Sequence, residues 1–206
     1  MSHEMLHRCL LAILTTVDLQ AMQVFTALLA LAAAGLALGV VIGRMLRGSV
    51  VLIDTVMAAI DDATLWLAFL VTAVATAGSL YFSEAAGLEP CRLCWFQRAA
   101  MYPLALITLI AAIRRDRAVR WYAGPLAGVG AAVALYHYVI EWRPDLEGGS
   151  CEFGPACADF YFREFGFVTL SFMAFCGFLA VIALTLLTPI GRGLRELDRT
   201  PTRPET

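Results

Sequence analysis

Cys91 and Cys94 are separated by two residues at the mouth of an apolar stretch, and Arg98 follows four residues after the second. Two close cysteines at a helix start form a redox-active dithiol, because the helix N-terminus stabilises a thiolate. On a helix Arg98 falls one turn below Cys94 on the same face, roughly 6 Å along the axis. A fixed positive charge at that depth in lipid is costly and usually functional. Its candidate task is to hold an electron acceptor against the dithiol. A second pair, Cys151 and Cys157, lies in a segment rich in glycine and proline, with Gly154 and Pro155 between the two cysteines to turn the chain. That spacing allows a disulfide around a tight bend.

The elements that position these residues are membrane helices. The chain is 60% hydrophobic and 16% charged, far from a soluble domain. Apolar runs at about 22–42, 63–82, 93–113, 121–140 and 167–187 are each near the length that crosses a bilayer. The expected fold is an all-α integral membrane protein: a four-helix transmembrane bundle with one additional N-terminal transmembrane helix. Residues 1–62 hold that helix and an amphipathic linker, 63–188 the core, and 189–206 a cytoplasmic tail. Within the linker, Ile53, Met57 and Ile60 recur at helical spacing, as in a short surface helix or a plain connecting one. Residues 1–8 hold one arginine against two histidines and a glutamate, a poor leader for a signal peptide. A retained first helix that starts outside is therefore expected.

Arginine placement gives the orientation. Every basic residue is Arg. Arg44 and Arg47, then Arg114, Arg115, Arg117 and Arg120, then Arg192, Arg195, Arg199 and Arg203 all fall on one side if the spans alternate. The opposite side carries Glu84, Glu89, Asp145, Glu147, Glu152, Asp159 and Glu164. Both cysteine pairs are thus expected on the extracytoplasmic side of a cell membrane. Disulfides persist in such a compartment. The net charge of −2 and the lack of a basic run offer nothing to a nucleic acid.

The Cys91–Cys94 pair closes a very short loop and suits exchange better than stapling. The loop pair could take electrons from a soluble partner and pass them inward. A quinone dissolved in the membrane is an acceptor that needs no covalent site. Arg98 is placed to hydrogen-bond a quinone carbonyl and to favour the Cys94 thiolate. His137 could donate to the other quinone oxygen, shuttle a proton, or bridge helices. Gln97 is a weaker cofactor-binding candidate, and Trp95 and Phe96 suit anchoring at the membrane interface. Glu141 reads as a marker of the water interface. Cys9 and Cys176 read as small buried hydrophobes. No metal-ligand set is apparent.

The stretch Cys91-Arg92-Leu93-Cys94-Trp95-Phe96-Gln97-Arg98 closely resembles the C-x-L-C-x-x-[QE]-R signature of the DsbB family of membrane thiol–quinone oxidoreductases. Tyr136-His137-Tyr138, the Cys151/Cys157 loop and Gly166-Phe167-Val168-Thr169 are similar to the short, BdbC-like branch. The resemblance covers about residues 63–187. It implies a DsbA-like thioredoxin-fold oxidase as partner, reoxidised by Cys151 and Cys157. Cys91 and Cys94 would then reoxidise that pair and pass two electrons to ubiquinone or menaquinone at Arg98. Two departures stand out. The first span lies outside the four-helix core, and Leu170-Ser171 stands where related proteins tend to carry Ile-Pro. Three competing readings remain. A relative of vitamin K epoxide reductases is disfavoured by motif order, a four-cysteine zinc module by Arg98, and a protein with two inert disulfides by the strained short pair.

Overall fold

The computed structural model describes residues 3–147 and 155–187, with side chains from Asp18 onward except that of Arg117. Cys9 (as a side chain), Cys151, Glu152 and the tail arginines lie outside the described residues. The described residues are mostly helical: α1 (His3–Met45), α2 (Val51–Leu80), α3 (Arg92–Arg114), α4 (Arg120–Trp142) and α5 (Leu170–Leu186). Short 3-10 turns at Arg117–Val119 and Pro144–Leu146 join the last helices, and a π turn, Tyr81–Ala85, extends α2. Four segments are long and apolar enough to span a bilayer: Asp18–Met45, Val51–Ala85, Arg92–Arg114 and Arg120–Trp142. The fifth helix, α5, has 17 residues and a length of about 26 Å, close to the hydrocarbon thickness. The chain is a multi-pass membrane bundle.

Small residues let these helices approach. Ala123, Ala127, Ala131 and Ala134 form one face of α4 and pack on Ala100, Met101 and Leu104 of α3 and on Phe178 and Val181 of α5. Lipid is as apolar as leucine, so close packing and interhelical hydrogen bonds hold such a bundle together. One such bond joins Thr72 of α2 to Thr108 of α3, 3.0 Å apart, with both side chains fully buried. Gly130 of α4 gives space to the buried ring of Phe178.

α1 packs on α2 and α5. Ala37 and Val40 meet Ala68, Ala180, Ala183 and Leu184. Residues 51–62 are continuous with α2. Their periodic apolar residues face α1, where Met57 fills the space over Gly43. At the same end Asp61 pairs with Arg44 and Arg47, the latter at 3.2 Å. The opposite end of the bundle carries the α2–α3 connection and the α4–α5 loop. A tight reversal at Phe165 and Gly166, both with positive φ, pairs Glu164 with Val168 and delivers Thr169 as the N-cap of α5.

Gly130→Ala should destabilise the bundle by about 1–3 kcal/mol, because the added methyl overlaps the Phe178 ring and neither has room to move. Gly128→Ala, on the opposite face of α4, meets nothing and should not destabilise. Thermal unfolding of the two variants in detergent checks this.

Candidate functional site

Cys91 is the N-cap of α3, with extended backbone (φ −67°, ψ 171°) after Pro90. Its Sγ accepts the Cys94 N–H at 3.3 Å, a donor that the helix start would otherwise leave unpaired. The i, i+3 spacing puts both sulfurs on one face, and they lie 2.7 Å apart, within reach of bond formation. Cys91 is 3% exposed and Cys94 is half-buried. The Cys94 thiol beside it holds the Cys91 thiol far below its usual range, at about 4. Burial opposes this, and a hydrogen bond from His137 adds to it. The thiolate therefore belongs to Cys91, at the helix mouth.

His137 of α4 ties this dithiol to the outer loop. Its Nδ1 lies 2.9 Å from Gln97 Nε2, and its Nε2 lies 3.1 Å from the Cys157 carbonyl and 3.7 Å from Cys91 Sγ. An amide nitrogen only donates, so Nδ1 accepts and Nε2 carries the hydrogen given to the carbonyl. Cys157 is fully buried, packs with Cys91, Leu93 and Ile140, and donates its N–H to Glu147 at 3.1 Å. It is disulfide-bonded, and its partner is none of Cys91, Cys94 and Cys176, which are free. Cys176 is buried within α5. Gln97 and His137 thus tie the Cys91–Cys94 pair to the loop that holds Cys157. His137 stands behind Gln97 and does not line the cavity described below.

Glu141 corrects the sequence reading. It is no interface marker but 6% exposed, one turn from His137, with Oε1 3.8 Å from Nε2. Thr169 donates to its Oε2 at 2.6 Å, and Ser171 lies 2.9 Å from Thr169 Oγ1. This polar cluster accounts for a serine at the start of α5. The i, i+4 spacing of His137 and Glu141 was the signal in the sequence. Its position near the end of an apolar run hid that signal.

On the other side of Cys94 lies a cavity of about 550 Å³ between α1, α2, α3 and α5. That is the size of a small-molecule site. Cys94, Gln97 and Arg98 are on its wall, with Tyr161 of the loop. Arg98 donates to the Ser79 carbonyl at 3.0 Å, at the end of α2 where the wider π turn begins. The Tyr161 hydroxyl donates to the Glu89 carbonyl and fastens the loop over the cavity mouth. Trp95 and Phe96 face outward, as interface anchors do, with the Arg98 guanidinium 5.3 Å from the Trp95 ring. The lining is otherwise almost wholly apolar and suits a flat apolar ligand with acceptor groups at one end.

Cys91, Cys94 and His137 present donor atoms within 4.8 Å of one another, a trio that could suggest a metal. Two thiolates on one tetrahedral zinc stand roughly 3.8 Å apart, given Zn–S bonds of about 2.3 Å. The 2.7 Å sulfur separation suits a disulfide-forming pair instead.

A membrane bundle that buries a Cys-x-x-Cys against a second, disulfide-bonded cysteine is a membrane thiol oxidoreductase. Residues 61–188 match the family described as "Disulfide bond formation protein DsbB", and the chain belongs to that family. It is similar to "Probable disulfide formation protein C 1" of Bacillus anthracis, 42% identical over 55% of this chain and 83% of the relative. The "Disulfide bond formation protein C" of Bacillus subtilis is 40% identical over 60% of this chain and 90% of the relative. No solved structure matches. These relatives agree with a role in disulfide formation.

The Cys91 geometry makes a pH prediction. In the reduced protein the depressed thiol ionises near pH 4, so the thiolate is present at neutral pH and is lost only as the pH falls through that value. Ultraviolet absorbance of the thiolate should show an acidic midpoint that Cys91→Ser removes; titration near the ordinary thiol value would contradict it. Glu141→Leu should cost about 1–3 kcal/mol by stranding the buried Thr169 and Ser171 hydroxyls, and Glu141→Gln much less, as read by thermal unfolding.

Proposed function

We propose that this chain reoxidises a DsbA-like thioredoxin-fold thiol oxidase outside the cell membrane and passes the electrons to a quinone. The observation that carries this reading is the placement of Cys94 and Arg98 on one cavity wall while Cys91 sits against the loop that holds Cys157. In the first exchange the partner's thiolate attacks the disulfide expected between Cys151 and Cys157. The partner leaves as a disulfide and the loop pair becomes a dithiol. In the second exchange the loop dithiol reduces the Cys91–Cys94 disulfide and recovers its own.

The Cys91–Cys94 dithiol must then lose two electrons and two protons. A bound quinone, ubiquinone or menaquinone, accepts both and leaves as quinol. Arg98 sits one turn below Cys94, where its guanidinium can donate to a quinone carbonyl and stabilise the negative charge of reduction. Gln97 is a second donor on the same wall. His137 presents its Nε2 hydrogen toward the Cys91 sulfur at 3.7 Å, where it can orient and stabilise a Cys91 thiolate. Burial keeps water from the thiolate during transfer.

The arginine asymmetry favours the extracytoplasmic side for both pairs, since Arg44, Arg47, Arg114, Arg115 and Arg120 gather at the other end of the bundle. The test is quinone-dependent oxidation of a reduced thioredoxin-fold protein by the chain in vesicles. Cys91→Ser or Cys94→Ser should abolish it. Arg98→His should raise KM for quinone at least about tenfold while both disulfides still form. Unchanged quinone affinity would remove Arg98 from the site, and labelling of either cysteine pair from the cytoplasmic side would end the scheme.

A further inference from the structure

We infer that α1, which lies outside the matched family region, forms one wall of a channel for the isoprenoid tail of the quinone and thereby selects tail length. This rests on the quinone reading above. Residues of α1 line the same cavity as Cys94 and Arg98, from Phe25 and Leu29 through Ala33 to Leu36. Their spacing of three or four puts them on one helix face. They cover a run of about 16 Å along the axis, longer than a quinone ring needs.

The cavity is polarised along that run. Thr26 lies beside Gly78, level with Ser79, whose carbonyl holds Arg98. That end carries Cys94 and Gln97 as well. Two to three turns deeper, the walls are Leu36 of α1, Leu70 and Val71 of α2, and Phe178 of α5, all apolar. A ligand with its acceptor groups at Arg98 must therefore send an apolar extension toward the bilayer centre between α1 and α2. A prenyl tail has that form.

α1 is fastened along its length. Its inner half is moored by Ala37 and Val40 against α2 and α5, by Met57 over Gly43, and by Arg44 and Arg47 on Asp61. In its outer half Ala27 and Ala30 are buried and Thr26 lies beside Gly78, while Phe25, Leu29 and Ala33 line the cavity. The slot therefore has a fixed wall, and its inner end lies near Ala33 and Leu36, which also pack on the α1–α2–α5 cluster.

Ala33→Phe should shorten this slot, and Leu29→Trp should narrow it nearer the mouth. The measurement is KM and kcat of the whole chain in vesicles with a long-tailed prenyl quinone and with a single-isoprene analogue. Leu38→Phe, on the lipid-facing side of α1, is the control for added bulk. The expected result is a KM raised at least about tenfold for the long-tailed quinone in Ala33→Phe, little change for the short analogue, and no change in Leu38→Phe. Equal effects on both quinones, or none on the long one, would overturn the inference. So would loss of co-purified phospholipid with unchanged KM, which would mark the slot as an acyl-chain site. Failure of the quinone reading itself looks different: the unmodified chain would reduce neither quinone.

Discussion

The arrangement depends on one imidazole. His137 receives a hydrogen bond from Gln97 of α3, gives one to the Cys157 carbonyl of the outer loop, and lies against Cys91 Sγ. Three pieces of chain distant in sequence are thereby fixed around two sulfur centres. With the Gln97 amide nitrogen toward Nδ1, the imidazole donates from Nε2 to the loop carbonyl. A buried polar group in a membrane protein must find such partners or be costly. Here the partners are the Gln97 amide, the Cys157 carbonyl and the Cys91 sulfur.

Glu141 extends the same logic. A carboxylate buried near the end of α4 is tolerated because Thr169 and Ser171 meet it from the start of α5 and His137 stands one turn away. The N-cap of α5 thus has two tasks: Thr169 accepts the Phe172 N–H and donates to Glu141. The loop reaches this cap through the positive-φ turn at Phe165 and Gly166. Local backbone geometry and the polar interior are therefore one construction. The dithiol, the loop and the first turn of α5 are held at the same end of the bundle.

The other side of α3 is apolar and open. Cys94 and Arg98 face a cavity, while Cys91 faces the histidine. Cys91 packs toward the loop that holds Cys157, and Cys94 borders the ligand-sized space. Ala-rich packing joins α3, α4 and α5 below the dithiol, and α1 supplies a cavity wall that four helices alone would leave to lipid.

The sequence by itself determined the helices, the Cys-x-x-Cys at a helix mouth, the family and the membrane setting. These follow from local quantities: apolar run length, N-capping and the i, i+3 and i, i+4 offsets. It placed Cys91, Cys94, Arg98 and His137 at one end of a bundle, because alternating spans leave little choice. Only tertiary structure decided that His137 and Gln97 face each other, that Glu141 turns inward, and that α1 borders the cavity. Those outcomes depend on the rotation of each helix about its own axis. An all-round apolar helix carries almost no moment to set that rotation, so the packing of alanines, glycines and single large rings sets it instead.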